Sequence, residues 1–204
     1  MRTFLKIISY IFQPLLMPLY GMILLMQTSL FGLFPLSYHI IAIAGTFLFT
    51  AILPALPILM MMRRGQIKDM FISKQEERTM PYLFSMLSYI FWVFFLWRTL
   101  LFPMEFVVMA AGSVLSVFLM VIINLKWKIS AHLAGIGGLV GGIFGASYLM
   151  AINPIYIIIL SIIVSGLVAV SRIYLKAHTP LQVFAGFCMG FLCVFLPCVL
   201  FQYF

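Results

Sequence analysis

Seven long, nearly uncharged apolar runs fill most of this sequence and restrict its fold more than any other feature. The runs lie near residues 4–28, 38–62, 81–99, 103–124, 130–151, 154–171 and 179–203. Each reaches the roughly 18 residues that a helix needs to cross a bilayer core. Backbone polar groups find no water in hydrocarbon and must pair within their own segment, so the runs predict helices. We therefore expect an all-α, polytopic bundle of six to seven membrane helices that forms a single domain over residues 1–204.

The composition agrees with membrane integration and excludes an ordinary soluble domain. Charged residues make up 8% of the chain and hydrophobic residues 65%, whereas a soluble domain carries about 25% charged residues. The N-terminal stretch MRTFLKIISYIF has the basic start of a signal peptide, but its apolar run is too long and no A-x-A-like cleavage site follows. We expect it to be the first membrane helix, kinked or partly re-entrant at Pro14 and Pro18.

The basic residues concentrate on one side of the predicted bundle. With seven crossings, the connections at 63–80, 125–129 and 172–178 share a side with the N-terminus. Eleven of the twelve lysines and arginines lie there, and only Arg98 falls opposite. Such an excess predicts that this side faces the cytoplasm. The net charge of +8 fits contact with anionic lipid headgroups or a phosphate, and it does not have the distribution of a nucleic-acid-binding surface.

Arg172 and His178 are the first candidates for chemistry. Ionisable residues near membrane depth are costly and are functional candidates by default. Arginine offers a fork of N–H donors that matches phosphate, and a neutral imidazole can attack phosphorus as a nucleophile. The alternative is an arginine that reaches toward headgroups and a histidine that caps the last helix. On this pair alone, both interpretations stay open.

Two further polar stretches share that side. The stretch KWKISAHLAG places Ser130 and His132 at the start of the fifth run, where a serine is also a common helix N-cap. The hydrophilic loop IKDMFISKQEERTMPY contains Lys74 and Arg78. The loop is either an ordinary solvated connection or a source of cations for a phosphate.

The Gly- and Ala-rich stretch AHLAGIGGLVGGIFGAS predicts a close helix-packing face, within or between chains, with room for a lipid chain as the alternative.

The stretch from Ser171 to Gln182 resembles the third signature of the type 2 phosphatidic acid phosphatase superfamily, which includes the vanadium haloperoxidases. That signature reads S-R-x5-H-x3-D. This chain has Ser171, Arg172, five residues, His178, three residues and then Gln182 in place of the aspartate.

Two other signatures of the superfamily are only partly matched. Ile129-Ser130-Ala131-His132 is similar to P-S-G-H in its serine and histidine. The order of K-x6-R-P, but not its spacing, is kept by Lys74, Arg78 and Pro81. Lys68 is an alternative match to the lysine of this signature. The resemblance covers about residues 60–190.

The resemblance implies a phosphatase that hydrolyses a phosphate or diphosphate monoester of a lipid through a phosphohistidine. It implies that His178 is the nucleophile and that His132 protonates the departing oxygen. The residues that it implies for phosphate binding are Arg172, Ser130, Arg78 and Lys74. It implies no metal and no other cofactor. The implied partners are a phosphorylated lipid substrate and the surrounding membrane lipids.

Gln182 leaves the activity open. The expected aspartate would orient the nucleophile and stabilise its imidazolium, whereas an amide oxygen orients the ring without supplying charge. Hydrolysis could be slow, another carboxylate (Asp69, Glu76 or Glu77) could substitute, or the site could bind phosphate without hydrolysing it. A lipid phosphotransferase and a non-enzymatic lipid-binding or transport protein are therefore alternatives. The membrane face that carries the site also stays open. The lysine and arginine excess predicts the cytoplasmic face, whereas the superfamily's membrane members usually act on the extracytoplasmic face.

Overall fold

The computed structural model describes residues 1–68, 72 and 74–201, and within them nine α-helices form seven membrane-spanning segments. The all-α, seven-span expectation is confirmed. The helices are α1 Arg2–Ile11, α2 Met17–Met26, α3 Leu36–Phe47, α4 Leu53–Arg63, α5 Thr79–Phe94, α6 Met104–Asn124, α7 Ala131–Met150, α8 Ile155–Tyr174 and α9 Pro180–Phe201.

The first span is broken where its prolines occur. Helix α1 ends at Ile11, Gln13 is extended, and a 3-10 turn over Pro14–Leu16 leads into α2. Proline lacks a backbone N–H and cannot continue the hydrogen-bond ladder of the preceding turn. The break separates α1, which packs against α8, from α2, which packs against α7.

Two other spans are continuous but contain a wider turn. A π-helical turn over Leu48–Ile52 joins α3 to α4, and a second one over Phe95–Thr99 extends α5. Each of these spans is therefore long enough to cross the membrane, as the apolar runs predict.

Glycines bring α7 and α9 into close contact. A methyl group added at Gly137 or Gly141 would collide with the carbonyl oxygens of Phe187 and Phe191, and one at Gly190 with that of Ala134. Small residues let membrane helices approach in this way, as the packing interpretation of the Gly-rich stretch predicts.

The close contact aligns the beginnings of the two helices. The backbone N–H of Ser130, just before α7, donates to the carbonyl oxygen of Gln182 in the first turn of α9, with an N···O distance of 3.3 Å. The segments that carry the second and third polar signatures are therefore adjacent.

Candidate active site

Three of the predicted site residues line one cavity of about 410 Å³. Arg78 precedes α5, His132 lies in the first turn of α7, and His178 lies in the connection between α8 and α9. All three side chains are buried, with exposed fractions of 3% for Arg78, 6% for His132 and 7% for His178. The fold thus brings together side chains that are up to a hundred residues apart in the sequence.

The end of α8 holds the backbone of His178 against Arg172. The N–H groups of Ala177 and His178 both donate to the carbonyl oxygen of Arg172, at 3.0 and 3.3 Å, and that of Lys176 donates to Ile173. Lys176 has a positive φ of 53°. These are the features of a Schellman motif, which closes a helix C-terminus through one left-handed residue.

The start of α9 fixes the side chain of the same histidine. The N–H of Gln182 donates to Oγ1 of Thr179 at 3.4 Å, and the N–H of Thr179 donates to Oε1 of Gln182 at 3.2 Å. This reciprocal pair is a capping box. Oε1 of Gln182 also lies 3.1 Å from Nδ1 of His178.

The capping box decides which nitrogen of His178 carries the proton. A backbone N–H can only donate, so the amide atom that faces Thr179 is the oxygen of Gln182. Because that oxygen accepts, Nδ1 of His178 is the protonated nitrogen. The lone pair of the neutral ring is then on Nε2. This is the tautomer that allows Nε2 to act as a nucleophile.

Burial and neighbouring cations keep this ring neutral. Burial, followed by the positive charge of Arg78, lowers the pKa of His178 to about 3, and the charges of Arg172 and Lys128 act in the same direction. The hydrogen bond that Nδ1 of His178 donates to Gln182 acts in the opposite direction and raises the pKa. Desolvation and like charges both disfavour the imidazolium, so His178 is neutral at physiological pH.

His132 is held by the first helix. Its Nε2 lies 3.2 Å from the backbone carbonyl oxygen of Ser9 in α1. A carbonyl oxygen only accepts, so Nε2 of His132 is protonated in this arrangement. Arg172, His178 and Arg78 all lie close enough to interact with His132 electrostatically.

Ser9 itself connects α1 to the third signature. Its hydroxyl lies 2.8 Å from that of Ser171 and accepts from Nη1 of Arg172 at 3.3 Å. Ser171 in turn donates to the carbonyl oxygen of Leu5 at 2.8 Å. Ser9 is fully buried. Our sequence reasoning missed Ser9, and the available signal was a serine within an apolar membrane helix, which needs a polar partner.

Arg78 joins the hydrophilic loop to the start of α7. Its Nε donates to the carbonyl oxygen of Ile72 at 2.7 Å and its Nη1 to that of Ile129 at 3.1 Å. Tyr82, one helical turn further along, lines the same cavity, and its hydroxyl is buried. The sequence reasoning did not single out Tyr82, because a tyrosine in an apolar helix is usually a packing residue.

The remaining predicted phosphate ligands occupy different positions. Arg172 and Ser130 are buried beside the cavity but do not line it. The hydroxyl of Ser130 has no hydrogen-bond partner among the described residues. Lys74 is exposed and lies 3.8 Å from a carboxylate oxygen of Glu77, so the structure does not bring Lys74 to the cavity.

The carboxylates considered as substitutes for the missing aspartate lie elsewhere or outside the described residues. Glu77 contacts Lys74 and accepts from the N–H of Lys68, Glu76 is exposed, and Asp69 lies outside the described residues. The partner of Nδ1 of His178 is the Gln182 amide. In the described part of the chain, no three His, Cys, Asp or Glu side chains cluster as a metal site would require.

A comparison with protein families finds one match. The family model described as the PAP2 superfamily matches residues 108–204, a range that contains His132, Arg172, His178 and Gln182. Ser9 and Arg78 lie outside it. No curated protein and no solved structure matches the chain.

Proposed function

We propose that this chain, whose residues 108–204 match the PAP2 superfamily model, is a membrane phosphatase that hydrolyses a phosphate or diphosphate monoester of a lipid. The observation that carries the proposal is the state of His178, which is neutral, buried, and oriented by Gln182 so that Nε2 holds the lone pair. His132 and Arg78 line the same cavity and supply the other groups that phosphoryl transfer needs.

In the first proposed step, Nε2 of His178 attacks phosphorus. A P–N bond forms while the P–O bond to the lipid breaks, and the departing oxygen takes a proton from His132 in its cationic form. Since Nε2–H of His132 donates to Ser9, the transferred proton comes from Nδ1. The negative phosphoryl group favours the cationic form of His132 in the complex.

In the second proposed step, water attacks the phosphohistidine. Nδ1 of His132, now unprotonated, accepts a proton from that water while the P–N bond breaks. Orthophosphate leaves, and both histidines return to their starting states. Arg78, which lines the cavity, stabilises the charge on the phosphoryl oxygens in both steps. Arg172 and Ser130 lie beside the cavity, and in this proposal they reach the phosphoryl oxygens once the substrate is bound. Lys74 drops out of this set because of its exposed position.

The proposed substrate is an amphiphile with a phosphate or diphosphate head, such as phosphatidic acid, phosphatidylglycerophosphate, a polyprenyl diphosphate or a lipid A phosphate. The lysine and arginine excess around the site supports a cytoplasmic orientation. We propose the bacterial inner membrane as its location.

Gln182 supports a second candidate, a protein that binds phosphorylated lipids without turnover. An amide supplies no negative charge to the imidazolium-like phosphohistidine. Replacing aspartate by an amide in the serine-protease triad, an established reference case, lowers the rate by about 10⁴. A phosphotransferase that passes the phosphoryl group to a lipid alcohol is the corresponding alternative among enzymes.

Phosphate release from a panel of phosphorylated lipids tests these candidates. The purified protein in nanodiscs should release orthophosphate from at least one lipid, and His178→Ala should abolish the release. His39→Ala is the matched control, because His39 contacts the carbonyl oxygen of Phe31 and is not among the cavity residues. Binding without release by the wild type would establish the lipid-binding candidate. Transfer to an added lipid alcohol would establish the phosphotransferase.

A further inference from the structure

We propose that the cavity beyond the histidines holds one apolar chain of the lipid substrate inside the helix bundle and sets the chain length that the site accepts. This inference rests on the proposed function, because it takes His178 and Arg78 as the position of the phosphorylated head. It adds a second binding region to the site, built from residues of α2, α5, α6 and α7.

The cavity extends through most of the thickness of the membrane core. Along α7 its lining begins at Ala131 and continues to Ser147 on the same helix. At 1.5 Å per residue, the stretch from His132 to Ser147 extends over roughly 22 Å, most of a hydrocarbon core about 30 Å thick. A phosphate group would occupy only the end that contains the histidines.

The polarity of the lining changes with depth. Arg78, His132, His178 and Tyr82 are at one end, and the deeper lining is rich in Gly, Ala, Leu, Met and aromatic side chains. The deeper lining also contains a few polar side chains, among them Ser85, Trp92, Tyr89, Ser113 and Ser116. Ser85 donates to the carbonyl oxygen of Pro81 and Trp92 to the hydroxyl of Thr46. An apolar chain in this region therefore leaves those two groups satisfied.

Glycines of α7 form part of the cavity wall. Gly138 and Gly142 line the cavity, and a Cβ added at either would also meet Val194 of α9, at 3.3 and 3.7 Å, whereas Gly137 and Gly141 pack directly on the α9 backbone. The Gly-rich stretch thus combines both sequence interpretations, since its glycines pack closely on α9 and two of them also border the cavity.

An aromatic cluster limits the far end. Phe102 and Phe106 line the cavity, and fully buried Phe31 stacks on Phe102 with ring centroids 4.9 Å apart and meets Phe106 edge-on at 5.4 Å. Packed aromatic rings of this kind resist displacement. A chain that reaches them has reached its length limit.

Side chains added to the cavity wall test the length limit. The substrates are single-chain alkyl monophosphates of increasing length, and the readout is kcat/KM for phosphate release in nanodiscs. For the wild type, kcat/KM should rise by about three- to fourfold per methylene until the chain reaches the aromatic cluster. In Gly142→Leu the rise should stop at a shorter chain, and in the deeper Ala146→Leu at an intermediate length.

Gly166→Leu is the matched control. Gly166 lies on α8 with open space around it, so the same substitution there leaves the cavity unchanged. Partition of the alkyl phosphates into the nanodisc is the same for all variants. A difference between variants in the limiting chain length therefore reflects the space within the cavity. A Cβ at Gly142 would meet Val194 and Met109 at 3.7 and 3.8 Å, which are ordinary contacts, so the first carbon of the new side chain fits without a clash.

A binding measurement separates this inference from the proposed function. Trp92 lines the cavity, so an alkyl phosphate brominated near its terminal methyl should quench Trp92 fluorescence in protein that carries Trp97→Phe and Trp127→Phe. Quenching should persist in Gly166→Leu and decrease at least fivefold in Gly142→Leu.

The combined outcomes are distinct. Quenching without phosphate release would overturn the phosphatase and retain the chain site. Phosphate release with the same chain-length limit and the same quenching in Gly142→Leu and Gly166→Leu would overturn the chain site and retain the phosphatase. The absence of both signals in the wild type would overturn both.

Discussion

The side-chain oxygen of Gln182 accepts the Nδ1 proton of His178 at 3.1 Å while it also caps α9 through the N–H of Thr179. One amide therefore both orients the proposed nucleophile and stabilises the helix that follows it. What the amide lacks is negative charge.

Gln182→Glu should increase phosphatase activity. Glutamate keeps the length of the side chain and both hydrogen bonds, and its charge stabilises the imidazolium-like phosphohistidine. We expect kcat to rise at least about tenfold, corresponding to about 1.4 kcal/mol of transition-state stabilisation. Gln182→Met, which removes both hydrogen bonds, should lower kcat and also cost about 1 kcal/mol of stability through the lost cap. Unchanged kcat in both variants would remove Gln182 from the mechanism.

His178 should stay neutral over an unusually wide pH range. Its pKa of about 3 lies below the unfolded value of about 6.5, so the unfolded chain binds the extra proton. Acidification from about pH 6.5 toward 3 should therefore destabilise the fold, while the ring in the folded protein stays neutral down to about pH 3. NMR titration of ¹⁵N-histidine, with His178→Ala to assign the signal, measures this directly. A ring that titrates near its ordinary pKa would contradict the buried, cation-flanked site.

The seven spans could be predicted from the sequence because they depend on local properties. Length and apolarity decide whether a segment can cross the bilayer, and prolines such as Pro14 interrupt it wherever they occur. The sequence also predicted that His132 and His178 belong to one site. That prediction came from the resemblance to a family and from the placement of both residues on the same side of the membrane. Neither required knowledge of how the helices pack.

The contacts of Ser9 could not be predicted in the same way. They depend on which face of α1 meets α8. The apolar residues of α1 do not define this face, because Leu5 and Ile8 are buried whereas Phe4 and Ile7 are exposed. Lys74 shows the converse problem. A cation near a signature looks like a phosphate ligand, but its position depends on a local ion pair with Glu77. The Thr179-Gln182 capping box was readable from the sequence, since T-x-x-Q at a helix start is a recognised pattern.

Lys74→Met and Arg78→Lys should differ strongly in their effects. Lys74 is exposed and paired with Glu77, and surface ion pairs contribute about 0–1 kcal/mol, so kcat/KM should change by less than about fivefold. Arg78→Lys keeps the charge but loses the planar fork that binds Ile72 and Ile129. We expect kcat/KM to fall about a hundredfold, from about 2.7 kcal/mol of lost transition-state stabilisation. Equal losses in the two variants would return Lys74 to the set of phosphate ligands.

Ser9→Ala should weaken catalysis although Ser9 lies outside the family match. The substitution removes the hydroxyl that accepts from Arg172 and contacts Ser171, and it retains the backbone carbonyl that holds His132. A hydrogen bond to a charged group contributes about 1.5–3 kcal/mol, so we expect kcat/KM to fall about ten- to a hundredfold. The loss should appear mainly in KM, because Arg172 is proposed to bind the phosphate in the ground state as well as the transition state.

Ser165→Ala is the control for Ser9→Ala. Ser165 is also buried, but its hydroxyl donates to the carbonyl oxygen of Ser161 within α8. Both variants remove one buried hydroxyl, but Ser9→Ala should lower the thermal stability in nanodiscs more, because it also removes a hydrogen bond of the charged Arg172. Only Ser9→Ala should raise KM, because only its hydroxyl contacts the proposed phosphate-binding arginine. Equal KM values in the two variants would limit α1 to a structural role.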